Sequence, residues 1–236
     1  MNKKLLASGV LSLIVAQPVF ALSTGDLLAI TPGSISGSVV SGSWFGFDGN
    51  GNQTIGLSEV KIMSPGPDGG VLMGTTQIAT GSHSGVPDGS ESPRIDAPTD
   101  FYGTTGMHGN STPVSIVSDL GATKTLDFSG WHYIFNGIEP TTPSVGLWLG
   151  SNYTSPATSG LATLVCSTAA CVNGDTFTLD YAARVPLGEP TCCGGLYYQL
   201  HIEGIVTSAV PVPAAAWLFG SGLMGLMGVI QRRRSR

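Results

Sequence analysis

The segment from Thr176 to Val185 alternates apolar and polar side chains without interruption. Successive side chains of a β-strand point to opposite faces, so the alternation predicts a strand with one buried face and one wet face. The apolar members are Phe177, Leu179, Tyr181, Ala183 and Val185. A strand of this kind needs other strands to cover its apolar face, and the chain shows no amphipathic helix that would cover it instead.

Other short segments of the same type are separated by turn residues. The chain has 34 glycines and only 11 % charged residues, a composition that disfavours long helices and suits short strands. We therefore predict an all-β ectodomain, a β-sandwich of the jelly-roll type. The predicted strands are 35–47, 114–120, 123–129, 131–136, 145–149, 161–165, 176–185 and 196–206. Residues 22–34 are expected to form a loose leader, and residues 81–112 a long loop with at most one short strand.

The N-terminus has the features of a secretory signal peptide. Lys3 and Lys4 precede an apolar run from Leu5 to Ala16, and Ala21 offers a small residue for cleavage. A retained membrane anchor is the alternative, but the apolar run is short for a span. We predict a signal peptide over residues 1–21.

The C-terminus combines an apolar segment with a basic cluster. Residues 209–230 carry no charge, and Arg232, Arg233, Arg234 and Arg236 follow. At about 1.5 Å per residue a helix over the whole segment would extend roughly 33 Å, enough for a hydrocarbon core of about 30 Å. Pro213 suits a first helical turn, which shortens the helix to a marginal span. The arginines would remain cytoplasmic under the positive-inside rule.

This tail resembles the PEP-CTERM sorting signal of Gram-negative bacteria, the substrate of membrane proteases called exosortases. The matching residues are a Val-Pro-x-Pro motif (Val210, Pro211, Val212, Pro213), a short Gly-rich apolar segment and the terminal arginines. The Glu that gives the family its name is Val212 here. The resemblance implies a single-pass inner-membrane precursor, processing by an exosortase, and a link to exopolysaccharide and biofilm. An ordinary single-pass anchor is the alternative interpretation.

Residues 22–208 form one ectodomain between the signal peptide and the segments 209–230 and 231–236. All 15 acidic residues of the chain lie in it, from Asp26 to Glu203, beside only four basic residues, which gives a net charge of −11. Nucleic-acid affinity depends mainly on Lys and Arg contacts to phosphate, so this charge excludes a nucleic acid as the partner. It fits a soluble surface protein. Segments of the ectodomain are also similar to the bodies of PEP-CTERM surface proteins. This similarity implies a location at the cell surface and gives no indication of a chemical activity.

Four cysteines lie in the exported part: Cys166, Cys171, Cys192 and Cys193. Disulfides are expected in an oxidising compartment, and four cysteines allow three pairings. Cys166 and Cys171 can clip a short loop and leave the adjacent cysteines as a pair, or the two loops can be tied crosswise. A zinc site is disfavoured. Such sites have cysteines separated by two residues or a pair of histidines nearby, and neither feature is present here.

Residues 48–59 resemble the twelve-residue EF-hand calcium loop. Oxygen-bearing residues occupy the first, third, fifth, seventh and twelfth positions: Asp48, Asn50, Asn52, Thr54 and Glu59. Gln53 stands where the motif has Gly, and only two of the ligands are anionic, so the predicted affinity is on the order of 0.1–1 mM. A Gly/Asn turn between strands is the alternative.

The sequence predicts no catalytic residue. It has no Gly-x-Ser-x-Gly, no His-Glu-x-x-His and no phosphate loop. Carboxylate pairs such as Asp175 and Asp180 match a polysaccharide hydrolase only in residue type. His132 and His201 fall on the polar phase of their strands, so we expect both to be solvated.

Trp148 and Tyr197 fall on the polar phase of their strands and are predicted to stack on sugar rings, unless both faces of the sheet are buried there. We therefore expect a non-enzymatic, exported structural or adhesive protein at the cell surface or in the extracellular matrix. A carbohydrate-binding module, with or without calcium, ranks second, and a secreted polysaccharide hydrolase third.

Overall fold

A computed structural model describes residues 21–65, 69–77, 99–101, 104–105, 108–133, 147–149, 160–187 and 194–208. In these ranges the chain is all-β, with seventeen strands and no helix. The described ranges accordingly contain no helix with the length and apolar character needed to cross a membrane. The predicted signal peptide, apart from Ala21, and the predicted sorting segment lie outside the described residues.

The strands are short at the N-terminal end and longest at the C-terminal end. Their bounds are β1 Leu27–Ile30, β2 Ser34–Ser36, β3 Val39–Ser41, β4 Trp44–Phe47, β5 Val60–Ile62, β6 Ser64–Pro65, β7 Gly70–Leu72, β8 Thr99–Phe101, β9 Thr104–Thr105, β10 His108–Asn110, β11 Ile116–Leu120, β12 Thr123–Asp127, β13 Trp131–Tyr133, β14 Leu147–Trp148, β15 Leu161–Cys166, β16 Thr176–Arg184 and β17 Tyr197–Thr207.

Nine strands form one antiparallel sheet around β17. The main path is β11-β12-β15-β16-β17-β1-β7, and β4 pairs with β17 and β5 off this path. β16 and β17 pair along nine consecutive residues, and both alternate buried and exposed positions as the sequence predicts. Smaller sheets are β10-β13-β14, β2-β3 and β6-β8-β9.

The large sheet forks along one side of β17. The first half of that strand, from Tyr198 to His201, pairs with β4, and the last part, from Gly204 to Thr207, pairs with β1. At the fork the buried hydroxyl of Ser43 bonds both the N–H and the C=O of Glu203, at 3.0 and 3.1 Å. The carbonyl of Glu203 also accepts the backbone N–H of Thr31 at 2.8 Å, so the Ser43 hydroxyl completes the hydrogen bonds of Glu203 between the two strand partners.

Gly204 permits the close approach of β1 at the fork. A Cβ at this position would lie 1.8 Å from the carbonyl oxygen of Ala29 and 2.8 Å from the ring of Phe177. Any larger residue would push β1 away from β17, so the fork depends on this glycine.

The sheet β10-β13-β14 packs against the buried face of the large sheet through aromatic side chains. Phe45 of β4 lies 4.8 Å from His108 and 5.4 Å from Tyr133, measured between ring centroids. Nε1 of Trp131 in β13 lies 3.2 Å from the hydroxyl of Tyr198 in β17. Two sheets facing each other across one apolar layer are consistent with a β-sandwich.

The strands predicted beyond residue 113 are confirmed wherever the structure describes them, with ends shifted by a few residues. The strand-like pattern over 35–47 is confirmed, and the structure divides it into β2, β3 and β4. Two predictions nearer the N-terminus are wrong. The expected leader contains β1, which pairs with β17 and β7 and buries Leu28. Residues 81–112 contain three short strands, β8, β9 and β10, rather than one at most.

Cys166 and Cys171 form a disulfide that clips the turn after β15, with a Cα–Cα distance of 5.4 Å. The hairpin-clip pairing of these two cysteines is therefore confirmed, and the crosswise pairing is wrong. Cys192 and Cys193 lie outside the described residues. A disulfide in this position fixes the approach of the chain to β16.

Candidate functional sites

Seven strands of the large sheet contribute one residue each to a transverse row on the outer face of the sheet, the face opposite β10-β13-β14. Residues directly opposite on antiparallel strands point to the same side, so the registers align the side chains of the row. Its members, from β11 through to β5, are Ser118, Thr125, Thr163, Asp180, His201, Trp44 and Ile62. All of them are at least partly exposed. We call this set the outer row.

His201 joins the charged and aromatic parts of the outer row. Its Nδ1 lies 2.7 Å from Oδ1 of Asp180, and its Nε2 lies 3.3 Å from Oε1 of Glu203. Its ring stacks on Trp44 with 5.8 Å between centroids and 27° between planes. The hydrogen bond with Asp180 raises the pKa of the imidazole, although partial burial opposes the shift. The imidazole ring of His201 therefore contacts two carboxylates and one indole.

The outer face around this row is anionic. Asp127, Asp180 and Glu203 contribute carboxylates from β12, β16 and β17, and the side chains of the last two are 55 % and 44 % exposed. The basic side chains that these three strands place on the face are His201, which lies between Asp180 and Glu203, and Arg184, whose guanidinium carbon lies 5.8 Å from the ring centroid of Tyr197. A cation near this face meets more carboxylates than competing bases.

Trp148 and Tyr197, the two predicted sugar-stacking residues, belong to different sheets. Tyr197 begins β17, is partly exposed and has Arg184 over its ring. Trp148 lies in β14, opposite His132 in the register of the small sheet. The side chain of Trp148 lies outside what the structure describes. The backbones of the two residues therefore lie in two different sheets.

The inner face of β17 carries a different polar group. His108 is fully buried between the sheets, and its Nε2 lies 3.0 Å from the hydroxyl of Tyr198. That hydroxyl accepts a hydrogen bond from Nε1 of Trp131 at 3.2 Å, so its own proton is available to His108. Burial, with a smaller contribution from His132, lowers the pKa of His108 to about 3. The imidazole is therefore neutral at ordinary pH.

His132 is buried, at 2 % exposure, so its predicted solvated position is wrong, whereas His201 is partly exposed as predicted. The reason is that every residue of β10 and β13 is buried, so both faces of the small sheet are covered there. When both faces of a strand are buried, the alternation of apolar and polar residues no longer predicts which side chains are exposed. Asn110 on the inner side is buried as well, and its amide has no hydrogen-bond partner in the structure as described.

The loop at 48–59 is held by its own carboxylates. Asp48, only 3 % exposed, accepts the backbone N–H groups of Gly51, Asn52 and Gln53 at 2.6–3.2 Å. Gln53 has a φ of 65°, a left-handed conformation of the kind that a Gly adopts readily. The loop therefore makes a sharp turn at Gln53 in spite of its side chain, which weakens the sequence objection to this position.

Glu59 closes the loop from its other end. Its Oε1 accepts the N–H groups of Gly49 and Asn50, at 2.8 and 3.2 Å, and its Oε2 accepts that of Gly56 at 2.8 Å. A carboxylate offers about four acceptor positions, so these bonds leave roughly one position open on Glu59. The same count leaves roughly one open on Asp48.

The side-chain oxygen of Asn52 is already bonded within the loop. Its Oδ1 accepts both the N–H and the hydroxyl of Thr54, at 2.9 and 2.7 Å. A calcium ion would have to displace the hydroxyl of Thr54 in order to use this oxygen. A cation in this loop would therefore compete with hydrogen bonds that its oxygens already accept.

Asp175 and Asp180 do not form the carboxylate pair of a glycosidase. Asp175 precedes β16 and accepts hydrogen bonds from Thr168 and Val172, whereas Asp180 lies on the outer row beside His201. Five residues of extended chain separate them by roughly 16 Å. Glycosidases need their two carboxyl groups about 5–10 Å apart.

Within the described residues no three His, Cys, Asp or Glu side chains converge as a metal site would require. The calcium-like loop has only two carboxylates and depends on amide and carbonyl oxygens. No protein-family model, curated protein or solved structure matches this chain. Its function has to be inferred from the geometry of its own residues.

Sequence reasoning did not place Trp44 and Asp180 together beside His201 on one face of the sheet. The segment around Trp44 reads as a strand, but nothing local indicates that its indole lies beside His201 of a strand far along the chain. One signal was present: Asp180, Glu203 and His201 all fall on the polar phase of the two most regular strands. The polar phase predicted that these three side chains are exposed. The pairing register of β16 and β17 shows in addition that they lie side by side.

Proposed function

We propose that the chain is an exported protein of the cell surface or extracellular matrix, with a structural or adhesive role. Among the described residues, the Cys166–Cys171 disulfide is the observation that supports export, because such bonds persist in oxidising compartments. The antiparallel sheet with one wet, aromatic-bearing face suits a role in binding rather than in catalysis. We propose a jelly-roll-like sandwich as its finer architecture.

We propose further that the tail sorts the protein. Residues 209–230 hold the precursor in the inner membrane, an exosortase-type protease recognises Val210 to Pro213, and Arg232, Arg233 and Arg234 stay on the cytoplasmic side. The resemblance to PEP-CTERM tails and the length of the apolar segment support this proposal.

Mass spectrometry of the mature protein from its own host tests export and sorting together. We expect an N-terminus at Leu22 and loss of the residues after the Val-Pro-x-Pro motif. A matched variant in which Pro211 and Pro213 are replaced by Ala should accumulate with its tail intact. A wild-type chain that keeps Met1 and remains in the cytosol would sink the proposal.

Calcium binding by residues 48–59 is a second proposed activity, supported by the convergence of the Asp48 and Glu59 carboxylates on one turn. Titration calorimetry with millimolar Ca²⁺ should give a dissociation constant on the order of 0.1–1 mM. Asp48→Asn with Glu59→Gln should abolish the heat. Thr54→Val, which releases Oδ1 of Asn52 from a hydroxyl, should bind more tightly. Equal heats for the wild type and the double variant would remove calcium from consideration.

A further inference from the structure

The outer row is a long polar strip with one aromatic side chain near its end. Neighbouring strands lie about 4.8 Å apart, so the seven members extend over roughly 29 Å. Ser118, Thr125 and Thr163 offer hydroxyls along one half of the strip. Asp180, His201 and Trp44 form the other half. A strip of this length suits a polymer rather than a small molecule.

The chemistry of the row matches a polysaccharide. Hydroxyls, carboxylates and an imidazole are the groups that exchange hydrogen bonds with sugar hydroxyls. Trp44 is partly exposed, and the stack on His201 holds its indole plane in place. A fixed aromatic ring loses little conformational entropy on binding, and it presents an apolar surface for the C–H face of a sugar ring. Binding a protein or a nucleic acid does not require hydroxyls, carboxylates and a fixed indole in one row.

The charge of the face narrows the class of sugar. The face carries three carboxylates, those of Asp127, Asp180 and Glu203, and two basic groups. The guanidinium of Arg184 already lies over the ring of Tyr197, and the imidazole of His201 bonds Asp180 and Glu203. The ectodomain as a whole carries −11. Acidic polymers are repelled by such a surface, whereas ammonium groups are attracted both by the carboxylates and by an indole.

We propose that the outer row binds a polysaccharide whose sugars carry free amino groups. Trp44 packs against one sugar ring, and Asp180 and Glu203 face the ammonium groups of that ring and its neighbour. The proposal deepens the adhesive role proposed above and rests on it for its biological setting. It replaces Trp148 with Trp44 as the sugar-stacking residue.

The test uses the full chain, purified in a mild detergent, and titrated with partially deacetylated oligomers of N-acetylglucosamine. Two probes of the same length serve as comparators: the fully acetylated oligomer, which lacks the charge, and oligolysine, which lacks the sugar. We expect the amino oligomer to bind several-fold more tightly than the acetylated one.

Variants separate the indole from the charge. Trp44→Ala should weaken binding of the amino oligomer about tenfold, and Trp44→Phe should recover most of the loss. Asp180→Asn should weaken it about threefold, because one of the facing carboxylates is lost. Val165→Ala, an exposed apolar side chain on the same face but outside the outer row, is the matched control and should stay within about twofold of wild type. Oligolysine binding should not respond to Trp44→Ala.

Three results would overturn the proposal: equal affinity for the acetylated and amino oligomers, unchanged binding in Trp44→Ala, or a Trp44→Ala loss as large for oligolysine as for the sugar. Near-ultraviolet circular dichroism of each variant shows whether the fold is intact. If the wild type binds the oligomer but is found in the cytosol, the surface assignment fails and the binding site stands. If the wild type reaches the surface but Trp44→Ala and Asp180→Asn bind the amino oligomer as tightly as the wild type does, the binding site fails and the surface assignment stands.

Discussion

On β17, Tyr198 faces the second sheet and is fully buried, whereas the adjacent Tyr197 is partly exposed on the outer face. The two sides of the strand also contact different histidines. His108 meets the hydroxyl of Tyr198 in the interior, and His201 lies between two carboxylates outside. Burial lowers the pKa of His108 to about 3, and the hydrogen bond with Asp180 raises that of His201.

The contrast shows that the pKa of a histidine in this sheet is set by its burial and by the groups it contacts, and not by the residue type. Inside, burial penalises the charged imidazole of His108 by desolvation, and the nearby His132 lowers its pKa further. Outside, two carboxylates favour the imidazolium more than partial burial disfavours it. The inner group should therefore govern stability, and the outer group should govern binding.

The largest expected effect is on stability, from Trp131→Ala on the inner side. Trp131 is fully buried, stacks on His108 and donates to Tyr198, so its removal should cost about 3–5 kcal/mol of unfolding free energy. Trp44→Ala on the outer side should cost only about 1 kcal/mol, because that ring is partly exposed. Urea unfolding of both variants makes the comparison. Equal losses would contradict the division between the faces.

Acid should destabilise the protein through His108. Its pKa is near 3 when folded and 6.5 in the reference state, so the unfolded chain takes up a proton first as the pH falls below 6.5. Stability that is present above pH 6.5 is lost at up to about 1.4 kcal/mol per pH unit, or roughly 2 kcal/mol between pH 6.5 and 5. Urea midpoints measured over that interval avoid most of the carboxylate titration.

His108→Gln is the control for the acid effect, since a carboxamide bears no proton that titrates there. Its midpoint should change less with pH between 6.5 and 5, whatever its absolute stability. A slope equal to that of the wild type would mean that another group carries the acid sensitivity.

Tyr198→Phe removes only the hydroxyl that joins Trp131 to His108. Both partners are then left without it in a buried layer, which should cost about 1.5 kcal/mol. Tyr197→Phe removes the equivalent atom from the outer face and should change stability by less than about 0.5 kcal/mol. Thermal unfolding of the pair measures the difference. A loss as large in Tyr197→Phe would place an unrecognised buried contact on the outer face.

The smallest effect has the opposite sign with pH. The pKa of His201 is raised in the fold, so its contribution is fully present below pH 6.5 and is lost as the pH rises through the raised value. His201→Gln should therefore be less stable than the wild type at pH 5.5 and nearly equal to it at pH 9. The difference should stay below about 1 kcal/mol because the site is partly solvated. A difference that grew with rising pH would refute the assignment.

The fold was predictable where one face of a strand is wet. β16 and β17 were predicted almost to their ends because alternation reports a local difference between two sides. β10 and β13 are buried on both faces, so the same rule misplaced His132. β1 was missed because Leu27–Ile30 is short, and its partners β17 and β7 are distant in sequence.

The candidate sites divide in the same way. The loop at 48–59 is local, so sequence spacing identified Asp48 and Glu59 as its two anchors, although calcium binding stays a prediction. The outer row is not local. Trp44 enters it through the pairing of β4 with β17, and the nearby contact of Ser43 with Glu203 spans 160 positions of the chain.

The amino-acid sequence by itself determined the all-β class and the wet side of the longest strands, because both follow from neighbours a few residues apart, whereas the pairing of Cys166 with Cys171 was one of several that it allowed. The tertiary structure alone decided which strands lie side by side, and with them the fork at Glu203, the burial of His108 and the alignment of Asp180, His201 and Trp44. Register between distant strands is set by the packing of the whole sheet, and no local pattern encodes it.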